Sequence, residues 1–184
     1  MKGSHAQIVA VAAAFCLALG AGCTEDKPLR VQAQYDVTHL GSTNTVAFLP
    51  GTLGDNTKDY RGYCRVADRD GQLHINVLVM RGNADGLMFD TLRWTDGAGG
   101  CVSCNSVEIT YENNVADDIP CCGDGDGLCD IQVRRGDPEI DEPKGSLVFA
   151  FSCENVDTNT SSGGVPVPIT VRNGRMLIEN CSGL

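Results

Sequence analysis

Ten cysteines in 184 residues constrain what this chain can fold into more than any other feature. Cys16 lies inside an apolar run, Ile8 to Gly20 (IVAVAAAFCLALG), and Cys23 lies just past it. The other eight are Cys64, Cys101, Cys104, Cys121, Cys122, Cys129, Cys153 and Cys181. Lys2 ahead of the run and Ala21-Gly22 after it complete an export-signal pattern. The start is basic, the apolar core is too short for a bilayer, and small residues mark the cleavage point. An even number of cysteines behind such a signal reads as a disulfide framework, because exported proteins mature where thiols oxidise. Eight cysteines allow on the order of a hundred pairings, so spacing leaves the connectivity open.

Cys101-Val-Ser-Cys104 also has the spacing of a zinc knuckle or a redox dithiol. A four-thiolate site wants a second spaced pair, and Cys121-Cys122 is adjacent; neighbouring cysteines rarely point at one ion. A redox dithiol opens a helix, whereas this one sits among Gly97, Gly99, Gly100 and Asn105 in loop-like sequence. Disulfides are therefore expected for all eight, with zinc or redox chemistry as the alternatives.

The five residues Leu19-Gly20-Ala21-Gly22-Cys23 resemble the lipobox of bacterial lipoproteins, over the first 23 residues only. The resemblance implies cleavage before Cys23, acylation of that cysteine and tethering to the cell envelope. Thr24 after the cysteine, where Asp would be a retention signal, implies the outer membrane. Without lipidation the same signal implies secretion. On this reading residues 1–22 are a signal peptide, 23–28 a polar lipid-anchored stalk and 29–184 a single domain. No later stretch approaches the ~18 apolar residues of a membrane helix.

Beyond residue 28 the hydrophobic period is two, the mark of half-buried strands. Val31, Ala33, Tyr35 and Val37 alternate with Arg30, Gln32, Gln34 and Asp36. Thr45 to Leu49 is a short strand closed by Pro50-Gly51. Tyr63 to Met80 reads as a hairpin about Asp70-Gly71, pairing Val66 with Ile75 and Cys64 with Val77. Asn83 to Gly86 is a turn and Leu87 to Trp94 a strand. Val107, Ile109 and Tyr111 form another strand, and Cys129, Ile131 and Val133 a further one. Leu147 to Cys153 is the most apolar and is expected to be central. Ile169 to Ile178 reads as a hairpin about Asn173-Gly174, pairing Val171 with Met176 and Ile169 with Ile178. Residues 154–168 are expected to form a polar loop. No segment after the signal shows a helical period. The fold class is all-β: an antiparallel β-sandwich or jelly roll of about nine strands, stapled by disulfides.

The formal net charge is −10, which argues against a nucleic-acid backbone as partner and disfavours electrostatic docking on anionic lipid. Much of that charge falls between Glu112 and Glu142, read as an acidic loop carrying ten carboxylates against Arg134 and Arg135. Within it Cys122-Gly-Asp124-Gly-Asp126-Gly-Leu-Cys129-Asp130 resembles the calcium loops of EF-hand and thrombospondin type 3 modules. Asp124, Asp126 and Asp130 are the candidate ligands, since calcium takes oxygen donors from alternating Asp-Gly turns. The resemblance lacks the closing glutamate, and a solvated acidic turn between cysteines is the plainer reading. No cofactor is required by the sequence, and calcium is the candidate ion for this loop.

Catalytic spacing is absent: there is no nucleophile elbow, no zinc-protease helix and no phosphate loop. His39 and His74 are the histidines behind the signal, and His74 reads as a sheet-face residue. Tyr60, Tyr63 and Trp94 are the candidate stacking platforms for a glycan, with Trp94 more readily a core residue. The expected function is a lipid-anchored envelope protein that binds a protein or glycan ligand, or is structural, without catalysis. A calcium-dependent adhesion or glycan-binding module and a carboxylate-dependent envelope hydrolase are the alternatives.

Overall fold

Alternation builds the first strand. In β1 (Leu29–His39) Val31, Ala33, Tyr35 and Val37 are buried, while Arg30, Gln32 and Gln34 are exposed. The computed structural model describes residues 27–53, 60–82, 84–112, 114–122, 128–158 and 167–184. The signal segment, Cys16, Cys23, Asp124 and Asp126 lie outside them.

Nine more strands follow: β2 (Ser42–Leu53), β3 (Tyr60–Arg69), β4 (Gln72–Arg81), β5 (Asp85–Trp94), β6 (Ser106–Tyr111), β7 (Asn114–Ile119), β8 (Cys129–Arg135), β9 (Leu147–Asp157) and β10 (Pro168–Glu179). They form two five-stranded antiparallel sheets, in the orders β2-β1-β10-β9-β8 and β3-β4-β5-β6-β7. The inner faces meet in one apolar core. Phe89 of β5 stacks on Phe149 at 5.9 Å and meets the edge of Phe151 at 5.5 Å, both on β9. Tyr35 of β1 closes on Phe151 at 5.9 Å.

The expected antiparallel, disulfide-stapled sandwich is the fold, with ten strands among the described residues. Strands adjacent in sequence are adjacent in the sheets, except where the chain crosses between layers after β2 and after β7. That is up-and-down connectivity, so the Greek-key return of a jelly roll is not used among the described strands.

The hairpin at Asp70-Gly71 forms with the expected register, Val66 opposite Ile75 and Cys64 opposite Val77. Asp70 and Gly71 have φ of 56° and 80°, the paired positive values that match strand twist in a two-residue turn.

The hairpin expected at Asn173-Gly174 does not form. Residues 168–179 run on as the single strand β10 between β1 and β9, and Asn173-Gly174 make a bulge opposite Tyr35. Either geometry puts Ile169, Val171, Met176 and Ile178 on one face, because one inserted residue restores the alternation. The pattern is degenerate, and pairing with two neighbouring strands decides it.

Other expectations shift in extent. β2 continues through Pro50-Gly51 to Leu53, past a register break against β1. β9 runs to Asp157, so the polar loop starts later, and Pro168 opens β10. β9 is second from its sheet's edge, and β10 is the central strand. The segment from Glu112 to Glu142 is no loop: it holds β7 of one sheet, β8 of the other and a 3-10 turn at Pro138–Ile140. Its described carboxylates are thus dispersed over both layers.

Candidate functional site

Among the described residues four disulfides form, Cys64–Cys181, Cys101–Cys122, Cys104–Cys121 and Cys129–Cys153, with Cα separations from 4.1 to 6.1 Å. Cys101 and Cys104 each bond outside their own motif, so neither the zinc site nor the redox dithiol is formed. The two bridges fasten the segment after β5 to residues 121–122, and the Val102 amide donates to the Ile131 carbonyl of β8 at 2.8 Å. The Cys129 amide donates to the Pro120 carbonyl at 3.2 Å, which brings the two ends of the acidic turn together. Of the calcium candidates only Asp130 is described, as an exposed carboxylate. Its nearest metal-ligating neighbours are the sulfurs of Cys101 and Cys122, which are bonded to each other and offer no thiolate.

The stacking candidates separate. Trp94 is buried at 3% exposure, with the Arg135 guanidinium 5.9 Å from its ring centroid, so it presents no platform to a sugar. Tyr63 is exposed, with Arg65 over its ring at 5.7 Å. Tyr60 opens β3 opposite Arg81, and its side chain lies outside the described residues. His39 packs edge-on against Tyr111 at 6.0 Å, and His74 is half-buried on β4. Residues that pattern reading missed lie behind them. Asp85 is buried beneath an ion pair with Arg81 and accepts from the Glu112 amide at 3.3 Å. Burial, then the Asp85 charge, pushes the Tyr35 hydroxyl above its ordinary range.

A polar groove crosses the outer face of the β2-β1-β10-β9-β8 sheet. One half, of about 410 Å³, is lined by Gln32, Gln34, Glu142, Asn173, Arg175 and Leu177. The other, of about 380 Å³, runs past the same Asn173 to Arg172, Glu154, Ser152, Gln132 and Asp130, over Ala150 and Gly174. Register builds it, since Gln34, Arg175, Ala150 and Gln132 sit opposite one another across four strands. Ala150 is the low point that leaves room. The bulge turns Asn173 outward, where its amide donates to Asp36 at 2.9 Å.

Glu142 overhangs this groove from the β8–β9 connection. Arg134 donates to both its oxygens at 2.5 and 2.6 Å, Arg175 donates at 2.9 Å, and the Asp137 amide at 3.0 Å. The Arg134 hydrogen bonds outweigh burial and hold its pKa at about 2. The folded value lies below the unfolded one. The stabilisation is therefore complete above the ordinary carboxylate range and is lost as pH falls from there through about 2. Both arginines are about half exposed or more, which screens the pair. Glu142→Gln should therefore cost about 1–2 kcal/mol at pH 7, less than an unpaired buried charge would. Urea unfolding should show that gap closing toward pH 2.

Searches against family models, curated proteins and solved structures find no match to this chain.

Proposed function

We propose that the protein is exported, lipid-anchored at Cys23, and works on the outer membrane of a bacterial envelope as a non-catalytic module holding a protein or glycan ligand in the groove of the β2-β1-β10-β9-β8 sheet. The observation that carries this reading is the state of the groove's side chains. Glu142 is committed to Arg134 and Arg175, and Glu154 to the fork of Arg172 at 2.9 and 3.0 Å. The Arg172 hydrogen bonds lower the Glu154 pKa as Arg134 lowers that of Glu142. Carboxylates held ionised in ion pairs are poor proton donors at neutral pH. What the groove offers is fixed charge beside Gln32, Gln34, Gln132 and Ser152, which make no side-chain hydrogen bond to other described residues. Amides and hydroxyls of this kind suit polyhydroxylated or peptide ligands.

Two measurements test it. Intact mass after alkylation without reductant should show acylated Cys23 and no alkylated thiol. The purified protein should bind saturably within a panel of envelope polysaccharides, peptidoglycan fragments and envelope proteins. Gln34→Ala or Gln132→Ala should weaken that binding roughly five- to tenfold, with chelator having no effect. Binding abolished by chelator would move the site to Asp124, Asp126 and Asp130, and release of reducing ends would make the protein a hydrolase. No binding at all would leave a structural role.

A further inference from the structure

We propose that the end of the sandwich formed by the start of β1, the outer side of β3 and the segment after β10 rests on the surface of the bilayer that holds the Cys23 anchor. This rests on the lipidation of Cys23 proposed above and adds which face of the domain meets lipid. Five residues, Thr24 to Pro28, separate Cys23 from Leu29. Even fully extended, the six Cα–Cα steps from Cys23 to Leu29 span no more than about 22 Å. The chain joins the domain at a fixed point, where the Pro28 carbonyl accepts from the Asn180 side-chain amide at 2.8 Å. Whatever surrounds Leu29 is therefore held close to the headgroups, and a protein partner would have to enter a gap no wider than the stalk.

What surrounds Leu29 suits an interface. Lys27, Leu29, Tyr63, Arg65, Asn180 and Leu184 line a shallow depression of about 640 Å³. Tyr63 and Leu184 are 41% and 43% exposed, two of the few large apolar side chains left in water among the described residues. Tyrosine is at home where hydrocarbon gives way to headgroups. Lys27 and Arg65 line the depression, with the Arg65 guanidinium over the Tyr63 ring, and both are cations of the kind that bond lipid phosphate. The platform is rigid. The Cys64–Cys181 bridge ties the segment after β10 to β3, the Val66 amide donates to the Ser182 carbonyl at 2.7 Å, and the Ser182 amide donates to Cys64 at 3.1 Å. Glu25 and Asp26 of the stalk offset Lys27 and Arg65, so the short tether and the exposed Tyr63 and Leu184, and not net charge, turn this end inward.

The test uses the full chain, exported through its own signal, extracted and reconstituted in phosphatidylcholine–phosphatidylglycerol vesicles containing brominated phosphatidylcholine. Tyr63→Trp and Leu184→Trp place reporters in the proposed contact. Leu40→Trp places one at the far end of β1, about 35 Å from Leu29. Buried Trp94 is a common background. Either reporter at the anchor end should be quenched roughly twofold or more beyond Leu40→Trp. Equal quenching of all three variants, in protein whose mass shows acyl chains on Cys23, overturns the docking and leaves the anchor standing. A mass without acyl chains removes the anchor, and the docking with it.

Discussion

Replacing Cys64 and Cys181 together by alanine should lower the unfolding free energy by about 4–5 kcal/mol, the largest loss from removing any of the four bridges. The reason is contour length. The bridge closes a loop of 117 residues, against 17 to 24 for the others. In the chain-entropy account a loop that long restricts the unfolded ensemble most. The remaining bridges lie inside it and shorten the effective contour to about 75 residues, but the dependence is logarithmic and removes only about 0.4 kcal/mol. Replacing Cys101 and Cys122 instead should cost at most about 3 kcal/mol, because Cys104–Cys121 still closes nearly the same loop. Calorimetry should place the Cys64/Cys181 variant roughly 10–20 °C below the parent and the Cys101/Cys122 variant well above it. A reversed order would mean that native contacts around the second pair, and not restriction of the unfolded chain, set the stability.

Much of the fold was legible because alternation reports a face directly. β1, β3, β4 and β9 each place the expected residues inside. Local pattern is silent where two geometries share one pattern, as at Asn173-Gly174, and where burial is bought by partners instead of apolarity. Glu142 and Asp85 are buried charges that no periodicity marks, since each depends on arginines that tertiary structure delivers. β7 was missed because Asp117 and Asp118 interrupt its alternation, leaving only Ala116 and Ile119 buried. The groove was invisible for a different reason. Gln34, Arg175, Ala150 and Gln132 come from four strands spread over most of the chain, and only register brings them into one row. The disulfide framework was readable as a count, while its connectivity needed the layers.

Gly174→Ala should destabilise the protein by about 2–3 kcal/mol, and the loss should shrink when Phe151 is also made smaller. A Cβ at residue 174 would fall 2.5 Å from two ring carbons of Phe151 and 2.6 Å from its carbonyl oxygen. The ring cannot swing aside freely, because it packs against Tyr35 and meets Phe89 at 5.5 Å. Overpacking of that kind costs about 1–3 kcal/mol in a dense core, and contact with backbone puts this site at the upper end. A hairpin turn at Asn173-Gly174 would make a different demand. There the glycine would be needed for its left-handed backbone, alanine would cost about 1 kcal/mol, and Phe151 would be irrelevant. The two geometries therefore differ in coupling as well as size. With Phe151→Leu in the background, Gly174→Ala should lose at least about 1 kcal/mol less than it does alone, the signature of residues in direct contact. Additive losses would place the conflict at the Phe151 carbonyl oxygen, 2.6 Å away and present in both backgrounds, and not at the ring.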